Sequence, residues 1–591
     1  MNERSFGPQL TADGASFRLW APAAKRVDVL LETSHPLRRD DDGWFSADIA
    51  GVKAGARYKF RIDDEIDVPD PASGFQPDDV AGPSEVIDHT AYLWRAKDWR
   101  GRPWPETVVV ETHVGTFTRD GTYRSMVEKL DHLVATGITA LELMPLADFP
   151  GRRNWGYDGV LWYAPDSAYG RPEDLKALID EAHLRGLMVF LDVVYNHFGP
   201  EGNYLGRYAP AFFTDAQTPW GSAIDYRVKQ VRDFAVENAL YWLREYRFDG
   251  LRLDAVHAIP EQGETSMLGE LSGAAGKLAA ETGRHIHLML ENDDNAVRLL
   301  DADEDPPRGR YRAQWNDDYH HAWHVLLTGE AHGYYGDYRQ SPLDDIARAL
   351  GSGFVYQGEA SEHRDGRSRG EPSGKLTPTA FVNFLQNHDQ IGNRALGDRL
   401  EGHVDPRAIE AALAITLLAP MVPMLFMGEQ WGATSPFPFF CDFHGDLAEA
   451  VRQGRRREFA GAYAKYGDEI PDPLELSTVQ SAVLDWKASG VEPGRARLKL
   501  VRDLLAVRAR EIVPRLAGPR LAGARFGEAR AADDGLLTAH WRMGGGATLS
   551  LIANLSNQEA SHSPDKIEGT PIWGTALNQN IPPWSVFWRI G

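Results

Sequence analysis

Over about 400 residues of this chain, short apolar runs that read as strands alternate with amphipathic runs that read as helices. No other feature limits the fold as much, because a repeated strand and helix rhythm buries its apolar faces in only a few architectures. The strand-like runs are "TVVVETHVGTF", "ITALELMPL", "LMVFLDVVYNH", "FDGLRLDAV", "HIHLMLEND", the weaker "GFVYQ" at 353–357, "TAFVNFLQNHD" and "VPMLFMGEQ". Between them lie helical runs such as "SMVEKLDHLVATG", closed by Gly137, "PEDLKALIDEAHLRG" and "YRVKQVRDFAVENALYWLREY". Eight strand candidates predict an α/β fold, an eightfold (β/α) TIM barrel, over 105–515. A doubly wound sheet is the alternative.

The flanks have a different rhythm. Residues 1–95 hold period-two runs ("SFRLWAP", "RVDVLLE", "GWFSADI", "ARYKFRI") separated by Gly, Pro and Asp, which predicts an antiparallel β-sandwich. "RAKDWRGRPWPE" reads as a linker, and 521–591, with "GLLTAHWRM" and "ATLSLIANLS", as a C-terminal β-sandwich domain. An aromatic, turn-rich insertion occupies 198–225 after the third strand. The polar, Gly-rich 358–378 reads as a mobile surface loop or as a lid over the site.

Composition narrows the partners. Sixty-three basic against 85 acidic residues give a net charge of −22, which disfavours nucleic acid and anionic membrane. A single cysteine, Cys441, forms no intramolecular disulfide and no Cys-rich zinc site. No apolar run approaches eighteen residues and the N-terminus lacks an apolar leader, so the expected location is the cytoplasm. Aromatics are plentiful, with 17 Trp, 20 Tyr and 24 Phe, which suits both large cores and stacking on sugar rings.

A barrel of this type carries its site where the strands end. The third candidate ends in Asp192, Asn196 and His197, the fourth in Arg252, Asp254 and His257, the fifth in Glu291, and the seventh in Asn387, His388 and Asp389. Glycosidic bond cleavage needs two carboxyl groups across the anomeric carbon, about 5–5.5 Å apart when configuration is retained. Any one buried acid reads equally well as a structural ion pair. Three at one mouth, each beside a polar neighbour, point to chemistry.

"DVVYNH", "GLRLDAVH", the strand-five Glu and "QNHD" resemble the four conserved regions of the α-amylase superfamily of glycoside hydrolases and transferases, in order and spacing. The likeness covers the barrel, and "FRLWAPAAKRVDVLL" is similar to the immunoglobulin-like, carbohydrate-binding N-terminal module of branching and debranching members. The resemblance implies Asp254 as nucleophile, Glu291 as general acid and base, and Asp389 as the holder of the sugar's 2- and 3-hydroxyls. It implies Arg252 as a charge beside the nucleophile, on the same strand face two residues earlier. His197 and His388 become donors to hydroxyls, and Tyr157 of "RRNWGYDG" a platform under the sugar, with Asp158 beside it. Leu253, Ala255, Val256, His257, Gln390, Asn393 and Arg394 complete the expected contacts. Asn196 stands where many α-amylases bind calcium, but no acidic partner loop accompanies it, so neither metal nor other cofactor is expected. Asn292, Asp293 and Asp294 follow Glu291, where a serine commonly follows in the superfamily.

The stretch "QWNDDYHHAWHVLLTGE" (314–330) admits several readings. His320 and His324, four apart, suggest a metal pair; Asn316 or Asp317 suggests a helix cap. "ETHVGTFTRDGTY" and "PLADFPGRRNWGYDGVLWYAPDSAYG" are similar to glycogen branching enzymes and equally to a superfamily group that cuts the α-1,4 bond beside the terminal trehalose of maltooligosyltrehalose. The 314–330 stretch, expected between strands five and six, favours that second group. It implies Trp315, Asn316, Asp317, Asp318, Tyr319 and His320 as contacts to the sugar, with trehalose and maltooligosaccharide as products. Branching or debranching is the alternative activity; a non-catalytic glucan-binding barrel conflicts with the presence of all three acids.

Overall fold

A computed structural model of the chain describes residues 4–218, 221–259, 266–300, 311–462, 467–516, 523–561, 569–574 and 580–591. The central unit is a closed parallel barrel of eight strands: β1 (Val109–Thr112), β2 (Ala140–Leu143), β3 (Met188–Val193), β4 (Gly250–Leu253), β5 (His287–Leu290), β6 (Ala313–Trp315), β7 (Phe381–Asn383) and β8 (Val422–Phe426). Each pairs with the next, and β8 closes on β1 with Val109 opposite Met424. Period two sorts the side chains. Val109, Ala140, Met188, Phe190, Met289, Ala313, Val382 and Met424 fill the barrel, while Val110, Leu141, Leu191, Leu251, Leu253 and Leu290 join the shell packed on the helices.

Trp104 plugs the N-terminal end of this interior. Its indole is buried, lies 5.2 Å from the His287 ring and donates from Nε1 to the Thr379 carbonyl at 2.7 Å. The floor is therefore closed, and polar chemistry is left to the opposite end.

One strand differs from expectation. The sixth is Ala313–Trp315, not "GFVYQ" at 353–357. Three residues with a buried glutamine in the middle are too short and too polar to register as an apolar run, whereas 353–357 is apolar because it covers the shell. Gly353, at φ +97°, has the Phe381 ring where a Cβ would stand, and the N–H groups of Val355 and Tyr356 donate to Asp318 instead of to a ladder. The 314–330 stretch therefore spans β6 and the following helix, Asp317–Thr328, and does not lie between β5 and β6.

The N-terminal domain is a sandwich of two antiparallel sheets, one built on Gly14–Trp20 and Trp44–Ala50, the other on Val27–Leu30 and Arg57–Ile62. Ala15, Phe17 and Leu19 alternate inward from the first strand. The insertion after β3 carries a short helix, Leu205–Tyr208, and a hairpin of Phe213–Thr218 with Gly221–Ile224. Its Phe198 stacks on Trp162 at 4.1 Å, and the Tyr208 carbonyl accepts from Ala23 of the sandwich. The C-terminal domain is a five-stranded antiparallel sheet with a two-stranded sheet whose Ile581 packs on Ile552 and Phe587; the boundary drawn at 521 falls outside the described residues. Trp541 ties this domain to helix Pro342–Ser352 by a bond to the Leu350 carbonyl at 2.9 Å. Among the described residues no helix is long and apolar enough to cross a membrane.

Replacing Trp104 by Ala is expected to destabilise the barrel by about 3–5 kcal/mol, the range for emptying an aromatic site in a core. Denaturant unfolding followed by tryptophan fluorescence measures it. A loss below about 1 kcal/mol would mean the floor is not packed as described.

Candidate active site

Arg252 of β4 rises through the centre of the barrel with its side chain fully buried. The guanidinium lies 4.1 Å from the centre of the Trp315 ring, donates from Nη1 to both oxygens of Asp192 (3.0 and 2.8 Å) and donates to Asp254 Oδ1 at 2.6 Å. Its Nη2 stands 4.0 Å from Glu291 Oε2. A buried cation is costly unless carboxylates surround it, and here three do. Burial raises the Asp192 carboxyl to about 7 even though Arg252 pulls it down.

Asp254 is fixed at both oxygens, because Asn196 donates to Oδ2 at 3.0 Å while Arg252 holds Oδ1. The Asn196 amide, at the position of a calcium ligand in related enzymes, is thus engaged with the carboxylate. Glu291 is held differently. Its Oε2 accepts the Ala255 N–H at 2.6 Å, a bond that uses the left-handed φ of +43° at Ala255, which an alanine rarely adopts. Burial pushes the Glu291 carboxyl up; Arg252 opposes this, and Asp254 and Asp389 reinforce it. Two carboxyl groups near one guanidinium therefore differ in environment, one oriented by two donors and the other biased towards its protonated form.

His388 and Asp389 follow β7, where the Asn387 side chain accepts from Asp389 N and Gln390 N and turns the chain. His388 bonds Glu111 of β1 through Nδ1, and its Nε2 is 3.4 Å from Asp389. Burial opposes its charge, but Asp389 and Glu111 together raise the imidazole to about 9. Tyr157 stacks on that ring at 4.9 Å and donates to Asp192 at 2.6 Å. Asp158 accepts from Asn154, and His197 bonds the Tyr157 carbonyl at 2.9 Å through Nε2. Exposed His257 accepts from the Asp293 N–H.

In 314–330 the structure divides the expected contacts. Asp317, first residue of its helix, is half-buried at the mouth, where burial and then Glu291, Asp293 and Asp389 push its carboxyl well up against the pull of Arg369. Asp318 instead lies in the wall with five donors: Asn295 Nδ2 (3.0 Å), Tyr338 OH (2.6 Å), Val355 N (2.7 Å), Tyr356 N (2.8 Å) and Arg369 (3.1 Å). Asn316 begins the helix without a side-chain cap bond and donates to Gly353 O and Asn383. The Tyr319 hydroxyl meets Thr416, and His320 bonds Leu385 O and Tyr335 OH. Trp315 lies beneath Arg252, and the Leu253 and Val256 side chains join the outer core. These seven were expected at the sugar and are packing residues, because the helix repeat and the strand alternation aim them inward or outward from the mouth. His324 bonds Glu330, and among the described residues no three His, Cys, Asp or Glu side chains form a metal cluster. Gln390 is buried, Asn393 exposed, and Arg394 is paired with Glu330 and Asp398.

Sequence reading missed three residues. Glu111 and Glu142 lie inside β1 and β2, and burial raises Glu142 strongly, as do Asp192 and Glu111. Acids inside apolar runs ("VVET", "ALEL") were the available signal. Tyr334 is half-buried against His321 and Tyr335, and its hydroxyl, raised to about 12 chiefly by burial, lies within the field of Asp389 and Asp317.

Barrel, paired acids and module order together define a glycoside hydrolase of the α-amylase class. The alpha amylase catalytic domain model matches residues 99–211, carbohydrate-binding module 48 (isoamylase N-terminal domain) 5–74, and a domain of unknown function 524–588. The chain is 43% identical to the malto-oligosyltrehalose trehalohydrolase of Deinococcus radiodurans over 85% of its own length and 82% of that protein. It is 40% identical to that of Saccharolobus solfataricus, over 82% and 84%. A crystal structure of a putative alpha amylase from Salmonella typhimurium superposes at a TM-score of 0.93 with 44% identity, covering 99% of both chains. The chain belongs to the malto-oligosyltrehalose trehalohydrolase family.

The raised His388 gives a pH prediction. Its charged form is favoured in the folded state, so its contribution is complete below the unfolded value near 6.5 and is lost as pH rises through about 9. Thermal melts between pH 6 and 10 are expected to show a fall of order 3 kcal/mol in the parent that is absent in His388→Gln. Parallel curves for the two proteins would contradict the assignment.

Proposed function

We propose that this enzyme hydrolyses the α-1,4 bond beside the terminal trehalose of malto-oligosyltrehalose, releasing trehalose and a maltooligosaccharide with retention. Its relatives carry that activity in their names. The observation that carries the residue roles is the Arg252 centre, which orients Asp254 at 2.6 Å and leaves Glu291 at 4.0 Å in surroundings that favour its proton.

Asp254 attacks C1 and the C1–O bond breaks as Glu291 gives its proton to the departing trehalose oxygen. Glu291, now ionised, takes a proton from water, whose oxygen attacks C1 and frees Asp254. Asp389 and the charged His388 hold hydroxyls of the reacting sugar, Tyr157 lies under its ring, and His197 adds a polar edge. Asp317 and Tyr334 face the leaving disaccharide. A buried polar group left unpaired by the wrong sugar is the usual source of such discrimination. His257, Gln390, Asn393, Arg394 and Asp158 border the cleft, and Ala255 acts through its N–H. We assign 1–95 to a glucan-binding sandwich, 105–515 to the catalytic barrel and 521–591 to a supporting β-domain. One buried cysteine and the absence of a membrane-crossing helix among the described residues support a cytoplasmic location.

Asp254→Asn and Glu291→Gln are each expected to fold and to lose at least about 100-fold in turnover. Chromatography of digests of malto-oligosyltrehalose follows the released trehalose. Retained activity in either variant refutes its role, and α-1,6-branched glucan without trehalose refutes the substrate. Asp317→Ala is expected to lower kcat/KM about tenfold more for malto-oligosyltrehalose than for plain maltooligosaccharides. Equal losses on both would remove Asp317 from recognition.

A further inference from the structure

Glu291 has a weak hold on its own position, because among the described residues its carboxylate has one hydrogen-bond donor, Ala255 N–H. The direction of the side chain therefore depends on the main chain leaving β5. That chain, Asn292–Asn295, is seized from outside the barrel by the polar loop after helix Pro342–Ser352. The loop is not loose. Gly358 N bonds Arg369 O and Arg369 N bonds Glu359 O, closing a hairpin around an Ala360–Ser368 bridge.

Two arginines of this hairpin converge on one residue. Arg364 Nη2 donates to the Asp293 carbonyl at 2.8 Å and Arg369 Nε to the same carbonyl at 2.9 Å. Both guanidiniums also pair with the Asp293 carboxylate, and Arg364 Nη1 holds Asp294 at 2.7 Å. Arg369 is itself locked by Tyr338 OH at 2.8 Å and Asp318 at 3.1 Å. Below the clamp, Gln314 Nε2 donates to the Asn292 carbonyl, and Glu371 N donates to Asn295 O.

We propose that the hairpin 358–370 is a strap that positions the general acid: Arg364 and Arg369 grip the Asp293 peptide and so keep Glu291 aimed at the leaving oxygen. Arg364 and Arg369 are positioning residues, and the proposal rests on Glu291 being the acid. Charge supports the same reading. Glu291 faces Arg252 and Asp254 from β4 and its loop, His257 beyond them, Asp389 after β7 and Asp317 on the helix after β6. The strap cancels Asp293 and Asp294, which would otherwise add two more anions next to it.

Arg364→Met is the first test, since this side chain is 18% exposed at the rim and its loss leaves the core intact. On malto-oligosyltrehalose, kcat is expected to fall about tenfold or more with KM nearly unchanged, because proton transfer is impaired and binding is not. The alkaline limb of kcat/KM is expected to move to higher pH, since removal of a cation raises the proton affinity of the acid. On α-maltotriosyl fluoride, whose leaving group needs little protonation, kcat/KM, which reads the bond-breaking step alone, is expected to fall at most about threefold. Arg364→Lys is expected to restore part of kcat; if Arg364→Met folds poorly, Asp293→Asn is expected to lower kcat more weakly and to move the alkaline limb the other way, because it removes an anion. Unchanged kcat, an unmoved alkaline limb or equal losses on the two substrates would overturn the strap. If Glu291→Gln stays active, the general-acid assignment fails; if Glu291→Gln is dead and Arg364→Met normal, the strap alone fails.

Discussion

The site depends on one buried cation. Arg252 has no contact with water, and an isolated guanidinium in that place would be too costly to keep. The carboxyl groups of Asp192 and Asp254 bond it, Glu291 stands 4.0 Å away, and the Trp315 ring supplies a face beneath it. Losing one partner from such a group leaves an uncompensated charge, at a cost of roughly 3–5 kcal/mol. The interaction therefore does two things together: it makes the barrel interior tolerable to acids, and it fixes where Asp192 and Asp254 point.

Different surroundings for chemically similar acids follow from position around that cation. Asp254 receives Arg252 and Asn196, two donors that hold its two oxygens in place. Glu291 receives, among the described residues, one backbone N–H and stands farther from the guanidinium, so burial dominates. Glu111 spends its charge on His388, which in turn faces Asp389. Glu142, buried beside Asp192 and Glu111, relieves the crowding by favouring its neutral form. The substrate, a neutral polyol, is not repelled by such an assembly, and a net charge of −22 is compatible with it.

Much of this was legible in the chain. Seven of the eight barrel strands stand where apolar runs placed them, because a strand covered on both faces writes a continuous apolar signature. The eighth, β6, was hidden by Gln314, whose amide serves the loop after Glu291. Strand-end acids were singled out by the rule that places function at the C-terminal face, and the structure gathers Asp254 and Glu291 round Arg252; the same rule passed over Glu111 and Glu142 because they lie within strands. Trp315 through His320 read as one polar cluster, since a sequence does not show which residues of a new helix face the cleft.

Asp317 and Asp318 show how helix phase decides which acid meets the cleft. Adjacent helical residues differ by about 100° around the axis, so one carboxylate enters the mouth and the next enters the wall. The wall residue binds the backbone of 355–356, the loop side chain Asn295 and the strap residue Arg369. Asp318 thus joins the helix bearing Asp317 to the segment that follows Glu291, and Arg369 touches both sides of the junction. Glu291, the proposed general acid, and Asp317, proposed to face the leaving sugar, are linked through one ionic knot, so a displacement of either would strain the other. Coupling of this kind gives two consecutive acids one purpose, though only the first meets the cleft.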